Sequence, residues 1–453
     1  MEKIVSLAKR RGFVFQGSEI YGGLRGTWDY GPLGVMLKNN ILREWWKMFV
    51  TDREDMYGID AAILMNSKVW EASGHTGAGF TDPMVEDVKN HKRYRADHLL
   101  EENGVENVEA LSVEQMTNTI REKGIKSPDG NELSDVRKFN MMFETKAGSV
   151  EDTASNIYLR PETAQGIFVN FKNVVDSMSP KMPFGIAQTG KAFRNEITPR
   201  DFIFRLRELE QMEIEYFIAE DDWEAQFEYW KGQMKRWISH IGVSEHMIHE
   251  LEVPETDRAH YSKRTVDFEF DYPFGTKELY GLAYRTDHDL RSHMEASGVS
   301  LEYIGPEGTR FIPHVIEPTF GVDRTFLVAL LAAYTEDELG GETRTYLKLP
   351  VHLAPYRVAV SPLLKNKPEL VAKAREVFAM LKREFGNVTY DDNGNIGKRY
   401  RRQDEIGTPY CVTIDFDTIG AEDPTNTDTV TVRNRDTGDQ ERVAIGELAQ
   451  VLR

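Results

Sequence analysis

The segment Phe193–Phe217, FRNEITPRDFIFRLRELEQMEIEYF, constrains the fold more than any other part of the chain. Two stretches of strand character flank the polar turn ITPRD, the pattern of a β-hairpin. This places Arg194 on the first strand and Arg205 and Arg207 on the second. Alternate side chains of a strand point to opposite faces. The odd-numbered face of the second strand then gathers Arg205, Arg207, Leu209, Gln211, Glu213 and Glu215, while Met212 and Ile214 face the other way. Cross-strand Arg–Glu pairing on a solvated face is one reading. A hairpin that is apolar behind and charged in front fits better as the floor of a site for a large anionic substrate. The forked guanidinium of arginine matches phosphate oxygens.

Around the hairpin the patterning predicts an antiparallel sheet flanked by helices. Val35–Val50 has helical spacing, with Met36, Leu37, Ile41, Trp45 and Met48 on one face. Thr81–Val150 turns polar and Glu-rich and reads as a mostly helical insertion of about 81–150. Strands are expected at Asn156–Leu159 and Phe184–Gln188, and a helical segment over about 221–262. TVDFEFD, Thr265–Asp271, alternates strictly, and a strand near Ile312–Ile316 leads into a helix after Gly321. Near residue 349 the pattern resets to alternating strands and helices, so the chain divides into 1–348 and an α/β domain over 349–453.

Composition excludes several classes. One cysteine, Cys411, rules out an internal disulfide and a Cys-based zinc site. His288 and His293 lack an HExxH setting, so no zinc is expected. The longest apolar run, Phe326–Tyr334, is too short to span a bilayer, and MEKIVSLAKRRG lacks the layout of a secretory signal. A cytoplasmic enzyme without a membrane partner is expected. The net charge of −18 argues against a general nucleic-acid coat, leaving Lys398–Arg402 (KRYRR) as the densest basic cluster.

Three separated blocks resemble the class II aminoacyl-tRNA synthetases. F-R-x-E, a loop and R-x-R-E-x-x-Q-x-E look like motif 2; EPTFGVDR, Glu317–Arg324, looks like motif 3; GPLGVMLKNNILREWW looks like the motif 1 helix. LRPETAQGIF, ELYGLAYRTDHDL and GKRYRRQDEIGTPYCVTIDFD resemble the glycyl enzymes of the homodimeric type. The resemblance implies an α+β catalytic domain on an antiparallel sheet with a C-terminal anticodon-binding domain. It further implies a homodimer, ATP with Mg2+, and glycine and tRNA(Gly) as substrates. The alternatives are a class II enzyme for threonine, proline or histidine, or a synthetase-like binding protein without catalysis.

By the same resemblance, Arg194, Glu196 and Arg324 carry catalysis. Arg194 meets the α-phosphate, Glu196 the adenine edge, and Arg324 the adenine face. Asn195, Phe204, Arg205, Leu206, Arg207, Glu208, Leu209, Leu279 and Gly321 join them at ATP, with Glu278 as the Mg2+ ligand. Glycine falls to Arg95, Glu162, Leu209, Glu210, Gln211, Glu213, Arg285, Glu317 and Thr319. Carboxylates that grip the ammonium also fill the space of any Cβ, so size alone rejects larger amino acids. Leu209 stands where the family has an aromatic residue to stack on adenine, and Thr319 where it has serine. Lys398, Arg399, Tyr400, Arg401 and Arg402 are assigned to the anticodon.

Overall fold

The computed structural model describes all residues except 78–79, 107, 109–110, 147–155, 260 and 306–307. Alternation builds the central sheet. Val266, Phe268 and Phe270 are buried on one face of Arg264–Tyr272, as are Met212 and Ile214 of Glu208–Ile218. Seven strands take part: β1 (Met56–Ile59), β2 (Phe184–Phe193), β3 (Glu208–Ile218), β4 (Ile248–Glu252), β5 (Arg264–Tyr272), β6 (Gly275–Thr286) and β7 (His314–Gly321). Their order is β4-β5-β6-β7-β3-β2-β1, antiparallel except where β1 runs parallel to β2. Helix α1 (Pro32–Trp46) starts on a proline at its first turn and continues as a π-helical turn through Thr51. It shares one core with α3 (Trp223–His240) and α5 (Val322–Ala333), into which Trp45, Trp230 and Trp237 are fully buried. On the opposite face α2 (Ala164–Met178) packs through Ile167, Phe168 and Phe171, with Leu290 of α4 (His288–Ser297) beside them.

Three expectations are corrected. The arginines are not on the strands: β2 ends at Phe193 and β3 begins at Glu208, so Arg194, Arg205 and Arg207 sit in the loop between. That loop finds its partners elsewhere, Asn195 N–H donating to the Met141 carbonyl and Arg207 N–H to that of Gly26. The insertion is not mostly helical. Thr81–Glu86, Arg93–Arg95 and Arg137–Asn140 form a three-stranded sheet, on which Ala96–Glu102 and Val113–Glu122 pack as helices. One sheet face covers a small cluster including Val85, Leu100 and Ile120, and the other buries Met84 with the polar Asp82, so little apolar alternation is left to read. Its end, 147–150, lies outside the described residues. The segment 221–262 is helical only to His240, after which Ile248–Glu252 becomes the edge strand β4.

Beyond residue 357 a second core forms. β8 (Val358–Pro362), β9 (Val388–Tyr390), β10 (Tyr410–Ile414), β11 (Thr429–Asn434) and β12 (Gln440–Ala444) lie in the order β9-β8-β10-β11-β12. The first three run parallel and the last two antiparallel. α6 (Pro368–Phe385) covers the sheet through Leu370, Ala374, Val377 and Leu381. α7 (Ile396–Glu405) carries the basic cluster.

Candidate active site

The polar face of β3 meets β6 and β7 beneath two adjoining cavities. The first, about 300 Å³, is lined by Arg95, Arg194, Glu196, Phe204, Arg205, Leu206, Leu209, Glu210, Leu279, Gly321 and Arg324. The second, about 240 Å³, is lined by Glu162, Glu213, Tyr261, Asp267 and Glu317. Arg194, Gln211, Glu278 and Thr319 line both and form the wall they share.

In the first cavity the cations are fixed by backbone carbonyls. Arg194 Nε donates to the Pro161 carbonyl at 3.0 Å. Arg324 Nη1 donates to the Glu278 carbonyl at 3.0 Å and pairs with its carboxylate at 3.1 Å. The Arg324 charge lowers the Glu278 carboxyl from its ordinary range although the side chain is half exposed. The Arg324 guanidinium lies 4.6 Å above the Phe204 ring, a cation–π contact. The aromatic missing at Leu209 is therefore present in the cavity, five residues earlier. Glu196 Oε2 and Arg205 Nη1 are buried 3.9 Å apart with no hydrogen-bond partner among the described residues. Buried polar atoms in native structures are paired, so two orphans on a cavity wall are donor and acceptor available to a ligand.

The second cavity is a nest of carboxylates. The turn before α2 supplies Glu162, held by His75 Nε2 at 3.2 Å and by Gln165 Nε2 at 3.0 Å. Burial would raise Glu162, but the His75 and Arg285 charges and the Gln165 amide outweigh it and hold the carboxyl below its ordinary range. This turn is kept on the sheet by Arg160, which donates to the carbonyls of Ala61 and Lys191. Gly190 on β2 makes room: a Cβ there would stand 2.2 Å from the Arg160 guanidinium. Glu213 accepts from the Thr163 hydroxyl and from Thr319 Oγ1 at 3.1 Å. Burial, reinforced by Glu162, raises its carboxyl. Glu317 accepts from Arg285 Nη1 at 2.6 Å, yet burial pushes it up to about 8. Arg285 is clamped from behind by Asp289, through two bonds of 2.8 Å, and lies 3.8 Å over the Tyr261 ring. Two cavities sharing a wall, one cationic and one anionic, can hold a polyphosphate beside a small zwitterion.

The structure gathers most of the residues the sequence pointed to, but not all. Asn195, Arg207 and Glu208 are not on the cavity wall. Arg207 is turned away, its Nε on the Glu196 carbonyl and its Nη1 on that of Arg25. Glu208 pairs with Lys191 at 3.1 Å. Arg95 lines the cationic cavity, not the carboxylate one, tied to Asp82 at 2.9 Å and to Asp97. Leu209 and Glu210 also lie on the cationic side, Glu210 pairing with Lys38 at 2.6 Å. Arg285 lies beneath the carboxylate cavity, not on its wall. Sequence reasoning missed Asp289, Gln165, Thr163 and Tyr261. Only the four-residue spacing of Arg285 and Asp289 gave a signal. His75 gave no signal in the sequence and is a partner of Glu162.

The basic cluster on α7 also needs correction. Arg399 is buried and donates to the carbonyls of Pro362, Asp392 and Gly394. Tyr400 bonds Thr413, with the Arg433 guanidinium 4.9 Å from its ring, and Arg402 is held by Asp391. Only one helix face reaches solvent, so only Lys398 and Arg401 are outward.

Comparisons with known proteins bear on the family and the fold. The family model described as the tRNA synthetase class II core domain (G, H, P, S and T) matches residues 143–334, and the one described as an anticodon binding domain matches 357–453. The chain is 52% identical to a glycine–tRNA ligase of Geobacillus thermodenitrificans over all of this chain and 97% of that protein. It is 50% identical to one of Deinococcus radiodurans over 99% of this chain and 97% of that protein. Among solved structures, the prolyl-tRNA synthetase of Giardia lamblia in complex with prolyl-adenylate has a TM-score of 0.66 at 16% identity. That match covers 98% of this chain and 75% of that one.

Proposed function

The chain belongs to the glycine–tRNA ligase family, and on that premise we propose that its paired cavities activate glycine with ATP and pass it to tRNA(Gly). The observation that carries the reading is the shared wall: Arg194, Gln211, Glu278 and Thr319 border the cationic and the anionic cavity alike. Glycine's ammonium fits among Glu162, Glu213 and Glu317, and its carboxylate then points at Arg194. A carboxylate oxygen attacks the α-phosphorus of ATP, pyrophosphate leaves, and glycyl-adenylate forms. A terminal ribose hydroxyl of tRNA next attacks the glycyl carbonyl carbon and AMP leaves. The protein's part is to hold the two substrates in line and to stabilise charge on the α-phosphate.

Arg194, fixed by the Pro161 carbonyl, would meet that charge on the wall both cavities share. Glu196 and Arg205 meet the nucleotide with their unpartnered atoms, and Arg324 with Phe204 offers two planar groups for the base. Glu278 suits Mg2+, which binds through one or two carboxylates together with substrate phosphates. When bound, Mg2+ neutralises polyphosphate charge. The carboxylates that grip the ammonium, with the Thr319 methyl beside them, would occupy the space toward which a Cβ projects, so selection is by size. We also infer a two-fold dimer through α1, and contact with the anticodon through Lys398 and Arg401. ATP–pyrophosphate exchange with each amino acid in turn tests the specificity: exchange with glycine alone is expected. Exchange with proline or threonine but not glycine overturns it.

A further inference from the structure

Behind the carboxylates that line the cavity stands a further one with no role so far. Glu215, two residues after Glu213 on the same face of β3, is fully buried, and neither of its oxygens has a hydrogen-bond partner among the described residues. Its strand lies between β7, which carries Glu317, and β2, where Ile186 is its register partner. One oxygen each from Glu213, Glu215 and Glu317 lie within 4.8 Å of one another. The charged groups around it are Glu213 on its own strand, Glu317 on β7, Arg285 on β6 and Asp289 on α4. Arg285 is already committed to Asp289 and Glu317. A carboxylate buried without a partner is far costlier than a buried neutral acid.

We propose that Glu215 is held as a neutral carboxylic acid whose O–H is donated to Glu317, making it a positioning residue for the amino acid pocket. The inference rests on reading Glu213 and Glu317 as ammonium ligands. Burial first, and the Glu317 charge second, raise the Glu215 carboxyl well above its ordinary range, in keeping with the geometry. Glu317 then has the Arg285 guanidinium on one side and the Glu215 hydroxyl on the other. The two bonds fix the plane of its carboxylate and leave lone pairs toward the cavity. The proton also removes one charge from a crowd of acids that has one buried guanidinium among them. A divalent cation is the competing occupant of the three acids. It would sit against Arg285 and receive one oxygen from each, poor terms for an ion that needs six oxygen ligands.

Three substitutions and one spectrum test this. Glu215→Gln keeps the shape and an N–H donor, so its glycine KM in pyrophosphate exchange should stay within about twofold of the parent. Glu215→Leu removes the donor and should raise that KM about tenfold with little change in the KM for ATP. Glu213→Gln should raise it at least as far. At about pH 9.5, above the value of about 8 to which burial pushes Glu317, the infrared difference spectrum between the parent and Glu215→Gln should contain a carboxylic acid C=O band that shifts in D2O. A glycine KM for Glu215→Gln as high as that of Glu213→Gln overturns the proposal, as does absence of the acid band. Stoichiometric Mn2+ binding in equilibrium dialysis that Glu215→Gln abolishes overturns it in favour of a metal. If the parent shows no glycine-dependent exchange, the functional reading fails, and the infrared band decides the protonation of Glu215 by itself.

Discussion

Replacing Asp289 by asparagine tests how the amino acid pocket is held together. The Arg285–Asp289 pair is 1% and 3% exposed, and both of its bonds are 2.8 Å. Gln165 adds a third bond to the same carboxylate at 3.0 Å. Removing one partner of a buried pair costs about 3–5 kcal/mol when the other charge is left unmatched, whereas Arg285 keeps its bond to Glu317. Asparagine keeps the volume and one acceptor, so the lower end, about 3 kcal/mol, is expected. Every tryptophan lies between Trp28 and Trp237, so tryptophan fluorescence during urea unfolding reports on the core around the central sheet and not on the C-terminal domain. The freed Arg285, already on Glu317, would turn further toward Glu213 and occupy the place of the ammonium. The glycine KM should therefore rise about tenfold, equivalent to about 1.4 kcal/mol, with the ATP KM little changed. A stability change under about 0.5 kcal/mol together with an unaltered glycine KM would refute the view that Asp289 restrains Arg285.

Protonation gives a second prediction. Glu317 is raised to about 8 by burial, so the stability it contributes is full below its unfolded value and is lost as pH rises through about 8. The melting temperature of the parent should fall relative to Glu317→Gln between pH 5 and pH 9, and parallel curves would contradict this. Glu278→Gln should raise the Mg2+ concentration for half-maximal exchange without moving the glycine KM, and a titration that superimposes on the parent would remove Glu278 from the metal. Phe204→Ala should raise the ATP KM by about tenfold, since base–aromatic stacking contributes about 1–3 kcal/mol. Leu209→Phe should lower the ATP KM, and an unchanged value in both variants would place the base elsewhere. Lys398→Glu with Arg401→Glu should raise the tRNA KM in aminoacylation while leaving exchange intact, and equal loss of both would end the anticodon assignment.

Much of the site was legible because a strand displays its own alternation. Gln211, Glu213 and Glu215 share one face, Met212 and Ile214 the other, whatever the rest of the chain does. Motif residues at fixed offsets, such as Arg194 with Glu196 and Glu317 with Arg324, carry their local geometry with them. Contacts between distant segments carry no such mark. His75 meets Glu162 across 87 residues of chain, a difference read from their numbers, and Gln165 meets Asp289 across 124. Exposure is equally non-local. Arg207 and Arg399 look like substrate ligands in the sequence, but nearby carbonyls claim both guanidinium groups.

The sequence by itself determined the alternation of Glu208–Ile218 and Arg264–Tyr272, the helix after Gly321, the reset toward a second α/β unit, and the residue types able to grip a phosphate and an ammonium. Periodicity and local offsets are properties of the chain alone. Tertiary structure decided which arginines line the first cavity, that Phe204 and not Leu209 presents a ring to Arg324, and that Glu215 is buried behind the carboxylates. Those outcomes depend on burial and on competition for hydrogen-bond partners, which exist only once β2, β3, β6 and β7 lie side by side.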